Sequence, residues 1–301
     1  MNIYNGSVFF VDILGFSSLT KGDLNDKLQD GDYTEWSITP SRSKNLSNNE
    51  LAAAILIAFR ESLEELKNNV SNIEIAQLSD CAFIWSKDTC ALLQAVHFFM
   101  KYALFDKQIL CRGGISYGEI IEDNTTSSSL GKFIVGNAVT NAVKNEGKLK
   151  GPRVTMDQDF VDQFWTCVPP MSVARLNSSE LFKPIHSLIN GDTIDEYRWY
   201  IFNHTTILDS RNLKKADKIN LTKERLKLAH TLCCHPKFNW NTYSKEGLAQ
   251  MNMGMEVLSQ SGIFGINHDF KRNEVLANDY IALRTNKTVQ SFFNVIDREI
   301  T

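Results

Sequence analysis

Residues 7–14, SVFFVDIL, form a nearly continuous run of β-branched, aromatic and aliphatic side chains. Such a run is typical of a strand that is buried on both faces of a sheet. Asp12 is the only charged residue within it. Because a buried carboxylate without a partner is strongly destabilising, Asp12 must be paired with a cation or hold a metal ion. The sequence therefore predicts a central strand that carries a partnered acid.

The patterns that follow this strand predict an α+β fold. The predicted elements are, in order, the strand 7–14, the helix 51–69, the strands 72–78 and 81–85, the helix 92–105, the strand 109–121, the helix 135–148, and the strands 153–156 and 196–202. Ser79 and Asp80 separate two of the short strands, which places Asp80 at or near a hairpin tip. The order β-α-β-β-α-β is that of a ferredoxin-like split βαβ arrangement.

The length and the local composition predict two parts. The chain has 301 residues, enough for two domains of modest size. Residues 21–46 are polar and rich in turn formers, which indicates a surface insertion. From about residue 206 onward, charged helix-favouring segments replace the strand patterns. We therefore expect a first domain at 1–205 with an insertion at about 21–46, followed by a helical C-terminal extension at 206–301.

The composition excludes several classes of partner. Lys plus Arg number 32 and Asp plus Glu number 35, so the net charge is −3 and the basic excess of a nucleic-acid binder is missing. The longest apolar run, residues 51–59, is far shorter than the ~20 residues that span a bilayer. The N-terminus lacks the basic region of a secretory signal. We expect a cytoplasmic protein without nucleic-acid or membrane partners.

Four segments carry polar and glycine residues in a recognisable order. They are FFVDILGFSSLT at 9–20, LSDCAFIW at 78–85, LCRGGISYGEII at 110–121 and GNAVTNAVKNEG at 136–147. In this order they resemble the motifs of the class III nucleotide cyclases, over about residues 6–156. The resemblance implies that residues 1–205 form a catalytic domain that cyclises a nucleoside triphosphate.

The same resemblance implies two divalent metal ions, Mn2+ or Mg2+. Asp12, Asp80 and the backbone carbonyl of Ile13 occupy the positions of the family's metal ligands. Two-metal catalysis requires hard oxygen ligands that hold the ions about 3.5–4 Å apart, and aspartate carboxylates are of that kind. In the alternative interpretation, Asp12 forms a buried salt bridge and Asp80 is an ordinary turn residue.

The triphosphate-binding positions are also implied by the resemblance. Gly15, Phe16 and Ser17 lie where a tight turn would direct backbone N–H groups at phosphate oxygens. Arg112 matches the family's triphosphate-binding arginine. Arg198 replaces a second triphosphate-binding cation in a looser alignment. In the alternative interpretation, Gly15, Phe16 and Ser17 form an ordinary turn at the end of a strand, and Arg112 is a solvated strand arginine.

The catalytic and base-reading positions depart from the family pattern. Thr140 replaces the ribose-orienting Asn, and Lys144 replaces the transition-state Arg, so a cation is kept but its bidentate fork is lost. Ala76 and Phe133 stand where purine cyclases place hydrogen-bonding residues, although hydrogen bonds carry much of base discrimination. We expect a pyrimidine substrate, UTP in preference to CTP. The pattern resembles the pyrimidine cyclases of Pycsar anti-phage systems, whose product acts on a separate effector.

In this family the active sites are shared between the two subunits of a homodimer. The resemblance therefore implies that Asp12, Asp80 and Arg112 of one subunit face Thr140 and Lys144 of the other, which gives two equivalent sites. Two alternatives stay open: a purine cyclase with unusual base contacts, and a catalytically dead cyclase fold that senses nucleotides. A third interpretation assigns the function to the helical extension as a partner-docking module.

Overall fold

The structure is a computed structural model, and it describes residues 1–21, 48–107, 109–123, 132–168, 181–186 and 193–201. These residues fall into two units. The first contains the described residues of 1–14, 56–149 and 153–201, and the second those of 15–21, 48–55 and 150–152. Most of the predicted insertion and the whole predicted extension lie outside the described residues. The predicted domain boundaries therefore stay predictions.

The order of the elements confirms the predicted α+β fold with a ferredoxin-like β-α-β-β-α-β core, β1-α2-β2-β3-α3-β4. The elements are β1 (Asn2–Ile13), α1 (Phe16–Thr20), α2 (Asn48–Asn69), β2 (Glu74–Leu78), β3 (Cys81–Ser86), α3 (Thr89–Phe105), β4 (Cys111–Asp123), β5 (Phe133–Val135), α4 (Asn137–Glu146), β6 (Val154–Met156), α5 (Gln158–Cys167), β7 (Phe182–His186) and β8 (Thr193–Tyr197). None of the described helices is long and apolar enough to cross a membrane.

The predicted last strand at 196–202 is wrong in its position. β8 ends at Tyr197, and Trp199–Ile201 form a 3-10 turn instead. The strand begins earlier than predicted because it is paired on both sides, with Ile194 opposite Ile185 of β7 and Asp195 opposite Met156 of β6. The aromatic residues after it are buried in the turn rather than in a strand.

The described strands form an eight-stranded sheet in the order β2-β3-β1-β4-β6-β8-β7, with β5 paired to β4 beside this path. The part β2-β3-β1-β4 is antiparallel throughout, as the ferredoxin-like arrangement requires. β6 then adds in parallel to β4, and β8 and β7 follow as antiparallel strands. β1 is therefore an interior strand that is hydrogen-bonded along both edges.

Helices cover both faces of β1. On one face, the Ser7 hydroxyl lies 3.0 Å from the hydroxyl of Thr89 at the start of α3. On the other face, Val8 packs in a fully buried cluster with Ala138 and Ala142 of α4. Because side chains alternate between faces along a strand, Asp12 lies on the same face as Val8, the face that α4 covers.

The last turn of α4 lies directly on β4 at Gly114. A Cβ atom at this position would overlap the carbonyl oxygen of Ala142 and the amide nitrogen of Glu146. Next to this contact, the buried Asn145 side chain donates a hydrogen bond of 2.7 Å to the carbonyl oxygen of Ile115. The absence of a side chain at Gly114 therefore sets the distance between the helix and the strand.

We predict that Gly114→Ala lowers the free energy of unfolding by about 2–3 kcal/mol, because a methyl group forces α4 away from β4. Urea denaturation followed by circular dichroism measures the effect. Gly147→Ala is the matched control: a Cβ there would meet its nearest atom, the carbonyl oxygen of Lys144, at 3.8 Å. Equal stability of the two variants would contradict the packing argument.

Candidate active site

The site begins with the pairing of Asp12. Its neighbour on β3 is Cys81, and its neighbour on β4 is Arg112. Residues paired across neighbouring strands share a face of the sheet, so all three side chains lie on the face covered by α4. The structure therefore places the first predicted metal ligand beside the predicted triphosphate-binding arginine.

Asp80 reaches the same end of the sheet through the β2–β3 hairpin. The turn consists of Ser79 and Asp80, and Ser79 adopts a left-handed conformation with φ +57°. The carbonyl oxygen of Asp80 accepts a 3.1 Å hydrogen bond from the amide of Ile13. This bond fixes the hairpin turn to the end of β1. The predicted position of Asp80 at the hairpin tip is thus confirmed, and its carboxyl group lies close enough to Asp12 for its charge to raise the pKa of Asp12.

Arg112 contacts two carboxylates. Its Nη2 atom lies 3.9 Å from Oδ2 of Asp12, and its Nε atom is in direct contact with Oε1 of Glu146. The Arg112 and Glu146 side chains are only 19% and 10% exposed. Glu146 could not be predicted from the sequence, because nothing in its local pattern distinguishes it from an ordinary polar residue at the end of a helix. Its role depends on the approach of α4 to β4.

The electrostatic environment of these groups is negative. Burial is the main cause that raises the pKa of Asp12 to about 7. The negative charges of Glu146 and Asp80 also raise this pKa, and together they outweigh the lowering by Arg112. Burial also raises the pKa of the Cys81 thiol to about 11, with contributions from the same three carboxylates. An excess of negative charge at the end of the sheet suits a divalent cation.

Asp12 and Asp80 fit a metal ion in their chemistry, since both supply the hard oxygen ligands that Mg2+ and Mn2+ prefer. Within the described part of the chain, no group of three or more His, Cys, Asp or Glu side chains is arranged to hold a metal ion. Asp12 and Asp80 stay the predicted ligands, with the Ile13 carbonyl as a predicted third.

Further along the same row of the sheet lie two more arginines. Gly113 pairs with Val154, and Val154 pairs with Tyr197. The adjoining residues Arg153 and Arg198 therefore continue the row from Arg112, with Arg198 two strands or about 10 Å away. The sequence resemblance implies triphosphate binding for Arg198, whereas nothing in the local sequence distinguishes Arg153.

The two added arginines differ in their surroundings. Arg153 is buried, and its Nε atom lies 3.6 Å from Oε1 of the fully buried Glu196. Arg198 is only half-buried. Arg153 is therefore paired within the sheet, and Arg198 is the less buried of the two arginines.

Thr140 and Lys144 lie on a different surface. Both are exposed on α4, whereas Ala138, Ala142 and Asn145 of the same helix are buried. Residues 140 and 144 are one helical turn apart and share a face, opposite to Ala142. Within one chain, these predicted catalytic side chains therefore point away from the sheet that carries Asp12 and Asp80.

The two predicted base-reading residues differ in their surroundings. Ala76 packs against the cluster of Val8, Trp85, Ile120, Ala138 and Ala142, and so does Ile134, the neighbour of Phe133. Phe133 itself is 46% exposed. A salt bridge of 2.9 Å joins Lys132 Nζ to Glu74 Oε1 and holds the start of β5 beside β2.

The predicted phosphate-binding turn belongs to the second unit. Gly15 has a left-handed φ of +76°, and Phe16 begins the short helix α1. Phe16 is buried and Ser17 is exposed. The role of these three residues in phosphate binding stays a prediction.

Comparisons with known proteins give likenesses of shape alone. No protein-family model matches the sequence, and the search of curated proteins finds no match either. A solved guanylyl cyclase domain of the RhoGC fusion protein from the aquatic fungus Blastocladiella emersonii is 11% identical, over 65% of this chain and 98% of its own, with a TM-score of 0.43. The adenylyl cyclase CyaB from P. aeruginosa is 14% identical, over 65% and 96% of the two chains, with a TM-score of 0.43. A bacterial light-regulated adenylyl cyclase is 16% identical, over 66% and 92%, with a TM-score of 0.42. These values identify neither a substrate nor a site residue of this chain.

The raised pKa of Asp12 predicts a pH dependence of stability in the metal-free protein. Its pKa rises from 3.8 to about 7 on folding, so the folded state binds the proton more tightly and its stability falls as the pH rises through that interval. Asp12→Asn removes this loss and should raise the free energy of unfolding by at least about 1 kcal/mol near pH 8.

Urea denaturation in the presence of EDTA, repeated between about pH 4 and pH 8, measures this dependence. Asp106→Asn, which changes an exposed carboxyl at the end of α3, is the control and should keep the wild-type dependence. An Asp12→Asn variant with the same pH dependence as the wild type would contradict the assignment.

Proposed function

We propose that the protein is a homodimeric, metal-dependent nucleotidyl cyclase. It converts a pyrimidine nucleoside triphosphate, UTP in preference to CTP, into the 3′,5′-cyclic monophosphate and pyrophosphate. The supporting observation is the convergence of three separate sequence motifs at one end of the sheet. Asp12 pairs with Arg112, and the Asp80 carbonyl accepts a hydrogen bond from Ile13.

In the proposed reaction, the ribose 3′-hydroxyl gives up its proton to solvent and its oxygen attacks the α-phosphorus. The bond from the α-phosphorus to the bridging oxygen breaks, and pyrophosphate leaves. Two divalent ions, Mn2+ or Mg2+, when bound, activate the hydroxyl and neutralise the triphosphate. Asp12, Asp80 and the Ile13 carbonyl would hold them. Arg112 binds the triphosphate through Nη groups that its contact with Glu146 leaves available. Arg198 adds a second cation in the same row.

The exposure of Thr140 and Lys144 supports a site that is completed by a second copy of the chain. Both point away from the sheet of their own chain, so they are available to the carboxylates of a partner subunit. Thr140 offers a hydroxyl to the ribose, although its Oγ1 also lies 3.2 Å from the Gly136 carbonyl oxygen of its own helix. Lys144 offers a positive charge to the transition state but cannot form a bidentate contact.

Ala76 and Phe133 support a pyrimidine base. Neither side chain can form hydrogen bonds with the polar edge of a purine. A pyrimidine leaves part of a purine-sized space unfilled, and the half-exposed ring of Phe133 can pack against the base there. The preference for UTP over CTP rests on the sequence resemblance to the pyrimidine cyclases of anti-phage systems. From the same resemblance, we propose that the reaction takes place in the cytoplasm and that its cyclic product acts on a separate effector in anti-phage defence.

A nucleotide sensor without catalysis is the second candidate. It is favoured by the replacement of the Asn and Arg of the family pattern by Thr140 and Lys144. The retention of both Asp12 and Asp80 opposes it, because a sensor has no requirement for two metal ligands. A purine cyclase with unusual base contacts is the alternative within the enzyme class.

We predict that the protein with Mn2+ forms cyclic product from UTP or CTP at least about tenfold faster than from ATP or GTP. Phe133→Ala should lower this preference several-fold, because the apolar ring that fills the space beside the base is removed. Chromatography of the products from each of the four triphosphates, supplied separately, measures both effects.

Val135→Ala is the matched control for this experiment, because Val135 is an exposed apolar residue on the same strand, 52% exposed. It should keep the wild-type preference. Equal rates with purines and pyrimidines would refute the assignment of the pocket, and nucleotide binding without any cyclic product would favour the sensor.

We predict that Asp12→Ala, Asp80→Ala and Lys144→Ala each reduce turnover at least about 100-fold in a protein that stays folded. Mixing the Asp80→Ala and Lys144→Ala proteins should restore activity, because their heterodimer contains one intact site. The measurement is cyclic product formed after subunit exchange, with exchange confirmed by native mass spectrometry.

A mixture of Asp12→Ala and Asp80→Ala is the control for this complementation. Both residues belong to the same half of the site, so neither site of their heterodimer is intact and the mixture should stay inactive. If the Asp80→Ala and Lys144→Ala mixture also stays inactive after exchange, the sites are not shared between subunits.

A further inference from the structure

Glu146 has an unusual position for a carboxylate. It is the last residue of α4, and its Oε1 atom and the Nε atom of Arg112 that it contacts are both inaccessible to solvent. Its place is fixed by the backbone, because its own amide lies against Gly114 of β4. The carboxylate is therefore held next to Arg112 by the packing of the helix on the sheet.

Arg112 lies between two carboxylates, and its guanidinium is much closer to one of them than to the other. Nε is in direct contact with Glu146, whereas Nη2 is 3.9 Å from Oδ2 of Asp12, at the outer limit of an ion pair. An unpaired charge in a buried site is strongly destabilising. A guanidinium that loses its carboxylate partner there is therefore attracted to the nearest remaining carboxylate. Without Glu146, that remaining carboxylate is Asp12.

A direct pair between Arg112 and Asp12 is incompatible with metal binding at Asp12. The guanidinium would occupy the oxygen lone pairs that a cation needs and would cancel the charge that attracts it. We propose that Glu146 is a positioning residue that retains Arg112 at Nε, keeps it off Asp12, and thereby leaves Asp12 available for a divalent cation. This inference rests on the proposed function and adds a residue to its site.

A purely structural role for the same contact is the competing explanation. In that case the ion pair fastens α4 to β4 and has no bearing on Asp12. The helix already has other attachments to the sheet, namely the Gly114 contact, the Asn145 hydrogen bond to Ile115, and the buried Ala138 and Ala142. The two explanations differ in whether the effects of Glu146 and Arg112 on metal affinity are coupled.

The test is a double-mutant cycle on Mn2+ binding to the full chain without nucleotide, measured by electron paramagnetic resonance of free Mn2+. Glu146→Gln keeps the shape and an acceptor oxygen but weakens the contact, and should lower Mn2+ affinity at least about tenfold. Arg112→Gln in the wild-type background should change the Mn2+ affinity less than about threefold. The double variant that carries both Arg112→Gln and Glu146→Gln should have an Mn2+ affinity within about threefold of the wild-type value.

Glu119→Gln is the matched control. Glu119 is an exposed acid on the same strand, seven residues or about 20 Å from Arg112, and its neutralisation should leave Mn2+ affinity unchanged. If Arg112→Gln raises the affinity by the same factor in both backgrounds, or if Glu146→Gln has no effect, the inference is overturned while the proposed function stands. A wild-type protein that binds no Mn2+ would overturn the proposed metal site and this inference with it.

A second measurement covers the case in which Glu146→Gln does not fold. The Nε–H signal of Arg112, assigned from its loss in Arg112→Lys, is followed by NMR in the wild-type protein during a titration with diamagnetic Mg2+. Retention of a signal protected from solvent exchange, with and without Mg2+, supports the inference. Loss of that protection when Mg2+ binds would show that Arg112 leaves Glu146, and it would overturn the inference.

Discussion

Strand β1 is hydrogen-bonded along both edges and covered by helices on both faces. The positions of the other residues of the site depend on this enclosed strand. A carboxylate on such a strand cannot move away from its neighbours, so Asp12 is held between Cys81 and Arg112. The cost of desolvating it is visible in its raised pKa. The same constraint orients Asp80, because the hairpin that carries it is tied to the end of β1 through Ile13.

The geometry of the candidate site also depends on the contact of α4 with β4 at Gly114. It brings the end of the helix to Arg112 and places the carboxylate of Glu146 there. The site thus combines a strand position that depends on local pairing with a helix position that depends on packing across the sheet. Each contributes one of the two carboxylates that flank Arg112.

The sequence was sufficient for the elements of structure that follow from a local pattern. The apolar run around Asp12 predicted an interior strand, and the short junction at Ser79 and Asp80 predicted a hairpin; both are present. Glu146 and Arg153 could not be predicted in this way. Their partners, Arg112 and Glu196, are distant in sequence and become neighbours only through helix packing and strand register.

The predicted strand at 196–202 was misplaced for a related reason. The segment EYRWYIF has the aromatic and β-branched composition of a strand, and this composition does not reveal where pairing stops. Pairing with β6 and β7 ends at Tyr197, and Trp199 and Tyr200 beyond it are buried within a 3-10 turn. Burial and strand formation are separate consequences of the same hydrophobic pattern.

Helix α4 carries two kinds of residue that are only two positions apart. Glu146 faces the sheet of its own chain, whereas Lys144 faces outward, towards the proposed partner subunit. In the proposed homodimer, each copy of this helix would therefore touch both catalytic centres. A displacement of the helix when one centre binds its substrate would then alter the other, and α4 would couple the two centres of the proposed homodimer.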